Sequence, residues 1–289
     1  MEFFGCYTAI VTPFKEQEID YAALHKLVDE QIEAGVTGLV PVGTTGESPT
    51  LDFEEHIQVI ERVNHWVNKR CQVIAGTGAN STAEAIHLSQ MAAEIGVDAT
   101  LQVCPYYNKP SSEGLYRHFS EIAEKSGLPI VLYNVPGRCG KEIPLDVVLR
   151  LSKNPLVQAV KEAGGSVDRV SAILNACDIT VLSGDDNLAL PMMALGAKGV
   201  ISVASNLIPA EISTMAALAL QGDFAGALSI HRNFYPLFRD LFIESNPIPV
   251  KAALAQMGKI KEEYRLPLCE ISQGNRQKLI DTLKEVGVV

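Results

Sequence analysis

Short runs of β-branched and other apolar residues alternate along this chain with longer stretches in which apolar positions recur every three or four residues. These are the spacings of buried strands and of amphipathic helices. The strand candidates are Tyr7 to Val11, Gly38 to Val42, Gln72 to Ala75, Ala99 to Val103, Ile130 to Tyr133, Val157 to Val160, Ile179 to Leu182 and Gly199 to Val203. Helical patterns lie between them, among them Tyr21 to Ala34, Phe53 to Asn68, Thr82 to Ile95 and Glu113 to Ser126. Asp20, Asp52 and Ser81 stand where N-caps belong. Eight strand and helix units in alternation predict an α/β fold closed into a (β/α)8 TIM barrel. An open doubly wound sheet usually has fewer strands and a G-x-G-x-x-G turn after the first. Here the first strand runs into Val11-Thr12-Pro13-Phe14.

After the eighth strand come four more helical patterns, Pro209 to Leu220, Phe224 to Glu244, Pro249 to Met257 and Ser272 to Val286. The first completes the barrel, so the expected division is a catalytic barrel over 1–222 and a C-terminal helical region over 223–289. Asn246-Pro247-Ile248-Pro249 is the one clear break in that region, because two prolines in four residues cannot continue a helix.

Composition narrows the function classes. Hydrophobic residues make up 47% of the 289 and charged residues 20%, a globular profile with ample core. The net charge of −10 speaks against nucleic acid or an anionic membrane as partner, since either requires a basic patch. The N-terminus lacks a signal-peptide pattern and no run of about 18 apolar residues occurs, so a cytoplasmic location is expected. The six cysteines are scattered without C-x-x-C spacing and read as reduced, mostly core thiols. His25, His56, His65, His87, His118 and His231 all fall in helical stretches without an H-E-x-x-H pattern, and no metal or other cofactor is predicted.

In such a barrel, residues at the C-terminal ends of the strands converge on one mouth. Lys161 closes the apolar run Leu156-Val157-Gln158-Ala159-Val160. A lysine held there out of full hydration can lose its proton and attack a carbonyl to form a Schiff base. After the second strand, Gly43-Thr44-Thr45-Gly46-Glu47-Ser48 is a glycine-flanked turn whose amides and hydroxyls suit a carboxylate. The fourth strand ends in Cys104-Pro105-Tyr106-Tyr107-Asn108 and the fifth in Tyr133-Asn134-Val135-Pro136-Gly137-Arg138. These offer phenols for proton transfer and a guanidinium for a second carboxylate. Tyr106 and Tyr107, adjacent in an extended segment, are expected to point opposite ways. The acids of Ser183-Gly184-Asp185-Asp186-Asn187 are equally well explained as caps of the next helix. Each motif alone has an ordinary structural explanation. Their coincidence at one barrel mouth favours chemistry.

Together with Lys161-Glu162-Ala163 and Gly199-Val200-Ile201-Ser202, these segments resemble the dihydrodipicolinate synthase family over the whole chain, within a superfamily of pyruvate-dependent class I aldolases and lyases. The resemblance implies condensation of pyruvate with L-aspartate 4-semialdehyde to 4-hydroxy-tetrahydrodipicolinate, the entry step of diaminopimelate and lysine synthesis. It implies that Lys161 forms the imine, Thr45 binds the pyruvate carboxylate, and Ile201 and Gly184 line the pocket. Tyr133 relays protons through Thr44 to Tyr107 of a neighbouring subunit, and Arg138 holds the semialdehyde carboxylate. It further implies a homotetramer built as a dimer of dimers, and a regulatory lysine site at Ser48, Pro49, Phe53, His56, Asn80, Glu84 and Tyr106. Phe53 and Pro49 depart from the pattern of lysine-sensitive members. A related pyruvate lyase acting on a sugar acid has little need for Arg138, and a silent keto-acid sensor has no need for a proton relay.

Overall fold

Nearly every residue of the barrel strands is buried, which is why each reads as an almost unbroken apolar run rather than an alternating one. The computed structural model describes residues 1–289. In chain order its strands are β1 (Gly5–Ala9), β2 (Phe14–Lys15), β3 (Glu18–Ile19), β4 (Gly38–Val40), β5 (Gln72–Gly76), β6 (Ala99–Val103), β7 (Ile130–Asn134), β8 (Val157–Glu162), β9 (Thr180–Ser183) and β10 (Gly199–Ser202). All but β2 and β3 form one closed parallel barrel in sequence order, β1 pairing with both β4 and β10.

The helices are α1 (Tyr21–Glu33), α2 (Phe53–Val67), α3 (Thr82–Ile95), α4 (Ser112–Ser126), the single turn α5 (Pro136–Cys139), α6 (Leu145–Leu151), α7 (Val167–Ala176), α8 (Asp186–Ala194) and α9 (Pro209–Leu220). The C-terminal region adds α10 (Phe224–Asp240), α11 (Ile248–Gln256) and α12 (Gln273–Glu285). The expected caps are in place. Asp20 accepts from Ala23 N, Ser81 from Glu84 N, and Asp52 forms a reciprocal capping box with Glu55. Several helices stop where a residue turns left-handed, as Asn68, Gly96 and Gly127 do.

Three differences from the sequence expectation have physical causes. The first strand lies two residues earlier than Tyr7 to Val11. Ile10 and Val11 stay buried beyond the ladder, where Val11 N donates to Asn206 Oδ1 (3.2 Å), so apolar patterning outlasts strand pairing. The hairpin of β2 and β3 turns through Glu16 and Gln17, both at positive φ without glycine or asparagine, and therefore carries no turn signature; Glu263 anchors it by accepting from both their backbone amides. The helix expected over Phe224 to Glu244 ends at Asp240, whose carboxylate binds Arg239, Lys278 and Thr282. All six cysteines are free thiols, but only Cys6, Cys104 and Cys139 are buried; Cys71 and Cys177 are half-buried and Cys269 is exposed.

Beyond Asp223, which caps α10, the chain adds to the barrel's own core. Phe234, Leu237, Val250, Leu279 and Leu283 belong to the same continuous apolar cluster as the strands, with α10 against α8 and α9. The prolines of Asn246-Pro247-Ile248-Pro249 do interrupt the helices there. The break brings the start of α11 to the C-terminal mouth of the barrel.

Candidate functional site

Parallel pairing sets the centre of the site. β7 and β8 run in register with Tyr133 beside Lys161 and Asn134 beside Glu162. The Lys161 ammonium lies 4.2 Å from the centroid of the Tyr133 ring, in cation–π range. Both side chains are almost buried, at 6% exposure each, so the lysine is confined. Gly184 follows β9 against the same lysine. A Cβ there would come within 3.0 Å of Lys161 Cε and 2.7 Å of Ala163 Cβ, so glycine leaves the lysine its room.

A network centred on the fully buried Glu162 and Asn134 holds these strand ends. Glu162 accepts from Asn134 Nδ2 (2.8 and 3.0 Å), Gly164 N (2.8 Å) and Arg169 Nε (2.8 Å), while Asn134 Oδ1 accepts from Ile143 N (2.9 Å). A buried carboxylate with this many donors is a fixed strut between β7 and β8. The acids after β9 divide their roles. Asp186 is buried and accepts from Ser202 Oγ, Val203 N (3.0 Å) and Ala204 N (3.0 Å), tying α8 to the end of β10 just past Ile201. Burial raises its pKa, against those hydrogen bonds and the charge of Lys161. Asp185 makes no cap hydrogen bond for α8; burial pushes its carboxyl up to about 6, opposed by Lys161. Neither acid is therefore the side-chain cap considered from sequence.

A cavity of about 450 Å³ opens beside this centre, lined by Thr44, Tyr133 and Arg138 and continuing along Ser48, Phe53 and Glu84. Pro49, His56 and Tyr106 also border it. Thr44, Tyr133 and Arg138 thus share one space with most of the regulatory candidates in the isolated chain, while Lys161, Thr45, Ile201 and Gly184 do not line it. Asn80 stands just outside, donating from Nδ2 to the Tyr106 carbonyl (3.2 Å). His56 is buried, with Nε2 on the Gly76 carbonyl (2.7 Å), and burial lowers its pKa. Phe53 is half out in solvent and stacks on His87 at 4.9 Å.

Thr45 is buried and its Oγ1 accepts from Asn246 Nδ2 (3.0 Å). Arg138, on the turn α5, donates from Nη2 to the carbonyl of the same Asn246 (3.0 Å). Ile201 is buried on β10, paired with Tyr7. Tyr107 is the one catalytic candidate the chain does not gather at its own mouth, its side chain being 91% exposed. Its φ of 70° is left-handed, so Tyr106 and Tyr107 diverge through a backbone kink and not through the alternation of an extended segment. Arg169, the roles of Glu162 and Asn134, and the contacts that Asn246 and Lys251 make with the Thr45 turn are absent from the sequence expectation. Asn246 and Lys251 are distant in the chain from every barrel motif, and only folding reveals those contacts.

The chain matches the model of the dihydrodipicolinate synthetase family over residues 2–286. It is 52% identical over 289 residues to the 4-hydroxy-tetrahydrodipicolinate synthase of Thermodesulfovibrio yellowstonii, covering 99% of each chain. The solved enzyme of that name from Methylacidiphilum fumariolicum is 52% identical and superposes with a TM-score of 0.98, covering 99% of this chain and 96% of its own. Two further similar structures carry ligands. A dihydrodipicolinate synthase of Acinetobacter baumannii complexed with pyruvate is 46% identical, with a TM-score of 0.97 and 99% of both chains covered. One from Cyanidioschyzon merolae with lysine bound is 40% identical, with a TM-score of 0.96 and again 99% of both covered.

Proposed function

The chain belongs to the dihydrodipicolinate synthetase family and condenses pyruvate with L-aspartate 4-semialdehyde, and we propose that it does so through a Schiff base on Lys161. The observation that carries this assignment is the pairing of a nearly buried Lys161 with Tyr133 on adjacent strand ends, beside a cavity bordered by Thr44 and Arg138. Lys161 attacks the pyruvate carbonyl and water leaves as the imine forms. The iminium then acts as electron sink for loss of a methyl proton. The resulting enamine attacks the semialdehyde aldehyde carbon. The semialdehyde amine next displaces Lys161 by transimination and closes the six-membered ring, giving 4-hydroxy-tetrahydrodipicolinate.

In this scheme the Thr45 turn seats the pyruvate carboxylate, with Ile201 and Gly184 lining the same pocket. Tyr133 carries protons at each addition and elimination, Thr44 is its partner, and Arg138 holds the semialdehyde carboxylate. Tyr107, exposed on its own chain, completes the relay of a second subunit, which makes a dimer the smallest complete unit and a dimer of dimers the working assembly. The proposed place of work is the cytoplasm, where a biosynthetic enzyme of small soluble substrates would act; no helix of the chain is long and apolar enough to cross a membrane.

Lysine, bound in the similar Cyanidioschyzon merolae enzyme, is the proposed feedback ligand here. Glu84 and Tyr106 supply polar groups in the cavity, Asn80 stands at its edge, and neutral His56 and the Phe53 ring line its wall. Reduction with borohydride in the presence of pyruvate, followed by peptide mass spectrometry, tests the central claim. The expected result is one reduced pyruvyl adduct, on Lys161. Absence of that adduct, or equal labelling of Lys251, would refute it.

A further inference from the structure

The turn that seats pyruvate is gripped chiefly by the C-terminal region. Thr45 Oγ1 accepts from Asn246 Nδ2, and Glu47, at the end of the same turn, forms an ion pair with Lys251 of α11 in which both side chains have no exposure at all. Glu47 also lies 3.5 Å from the backbone amide of Arg265, whose guanidinium donates to the Thr50 carbonyl (2.9 Å). The barrel's own grip is the hydroxyl of Thr12, which donates to the Gly46 carbonyl (2.7 Å). The Lys251 ammonium is enclosed by aromatic faces, 4.2 Å from the Phe14 ring centroid and 5.2 Å from that of Tyr264. Burial lowers its pKa, while Glu47 opposes that shift.

Such a pair is a poor device for stability. Two desolvated charges commonly do no better than an apolar pair of the same size, although removing one partner alone is costly. Its placement suggests another use. Glu47 is itself in the left-handed region, at φ 55°, so the backbone after Thr44, Thr45 and Gly46 is held in a conformation it would not choose unaided. A charge pair fixes direction as well as distance, which a greasy contact does not. Asn246 adds a second tie and, through its carbonyl, links the Thr45 turn to Arg138.

We propose that Lys251, acting through Glu47, and Asn246, acting through Thr45, are positioning residues that set the pyruvate carboxylate seat. The proposal rests on the Schiff-base assignment above and extends it to side chains that never touch substrate. Lys251 cannot itself be the nucleophile, being sealed between Glu47, Phe14 and Tyr264.

The test separates positioning from stability. Lys251→Met alone strands a buried carboxylate and should lower the melting temperature. Glu47→Gln combined with Lys251→Met removes both charges, keeps the volume and retains an acceptor for Arg265. That double variant is expected to regain the melting temperature yet keep a pyruvate KM raised roughly 10- to 100-fold. The semialdehyde KM, and kcat at saturating pyruvate, should stay within a few-fold of the parent. Asn246→Ala, which alters no charge, should raise the pyruvate KM in the same selective way. Recovery of the pyruvate KM together with the melting temperature, an equal rise in both substrates' KM, or an unchanged pyruvate KM in Asn246→Ala would overturn the proposal. Borohydride trapping on the unaltered enzyme is run alongside. Failure there removes the Schiff-base premise itself, and is distinguishable because it needs no variant.

Discussion

Gly184→Ala is the smallest change that should reach the nucleophile, because it adds one methyl group beside Lys161. Gly184 does not adopt the positive φ of the left-handed glycines, so alanine meets no backbone penalty and the effect is steric alone. The new Cβ would stand 2.7 Å from Ala163 Cβ, 3.0 Å from Lys161 Cε and 3.2 Å from the Glu162 carbonyl oxygen. Carbon atoms pack at about 3.5 to 4.0 Å, so relief requires shifts of several tenths of an ångström to about 1 Å. Ala163 and Glu162 belong to a strand end clamped by Arg169 and Asn134 and yield little, leaving the flexible lysine side chain to move. Overpacking of this kind costs about 1 to 3 kcal/mol of stability. Displacing a reacting group by about 1 Å costs up to roughly 100-fold in rate. Stopped borohydride trapping of pyruvate reports imine formation, and thermal unfolding reports stability. Ala163→Gly added to Gly184→Ala removes the tightest contact and should restore stability while trapping stays slow, because the Lys161 contact remains. Parental trapping rates in Gly184→Ala would refute the steric account of this glycine.

Arg138→Ala should leave trapping of pyruvate on Lys161 intact while lowering kcat/KM for the semialdehyde roughly 30- to 1000-fold, the loss expected of a charge-assisted contact; steady-state kinetics with both substrates checks it. Tyr107→Phe and Lys161→Ala, each inactive alone, should regain activity when mixed under conditions where native mass spectrometry shows subunit exchange, since some sites then combine one intact copy of each residue. For Asp240, burial raises the pKa but Arg239, Thr282 and Lys278 outweigh it and hold the carboxyl down to about 2, from 3.8. The unfolded chain then binds the extra proton in that interval, so this group's contribution is full above pH 3.8 and is lost as pH falls toward about 2. With half-exposed cationic partners the contribution is on the order of 1 to 2 kcal/mol, and Asp240→Asn should flatten that stretch of an acid-unfolding curve.

The barrel was legible because burial of parallel strands by helices leaves a local signature. Each of the eight strand candidates overlaps a barrel strand, and Asp20, Asp52 and Ser81 cap the helices they precede, since both features depend on neighbours a few residues away. Lys161 was legible for the same reason, as a charge closing an apolar run. The hairpin at Phe14 to Ile19 was not, because a Glu16-Gln17 turn at positive φ is stabilised by Glu263, which lies far along the chain.

What tertiary structure alone decided is the geometry between those local pieces. Register across β7 and β8 puts Tyr133 beside Lys161, and no pattern within either strand dictates it. The left-handed kink at Tyr107 turns its ring into solvent where alternation in an extended segment was expected. The grip of Asn246 and Lys251 on the Thr45 turn joins residues some two hundred positions apart. The sequence specifies periodicity, caps and chemical type through short-range sterics and burial. It does not display ion pairs, hydrogen bonds and close approaches between distant segments, because these form only when the barrel closes.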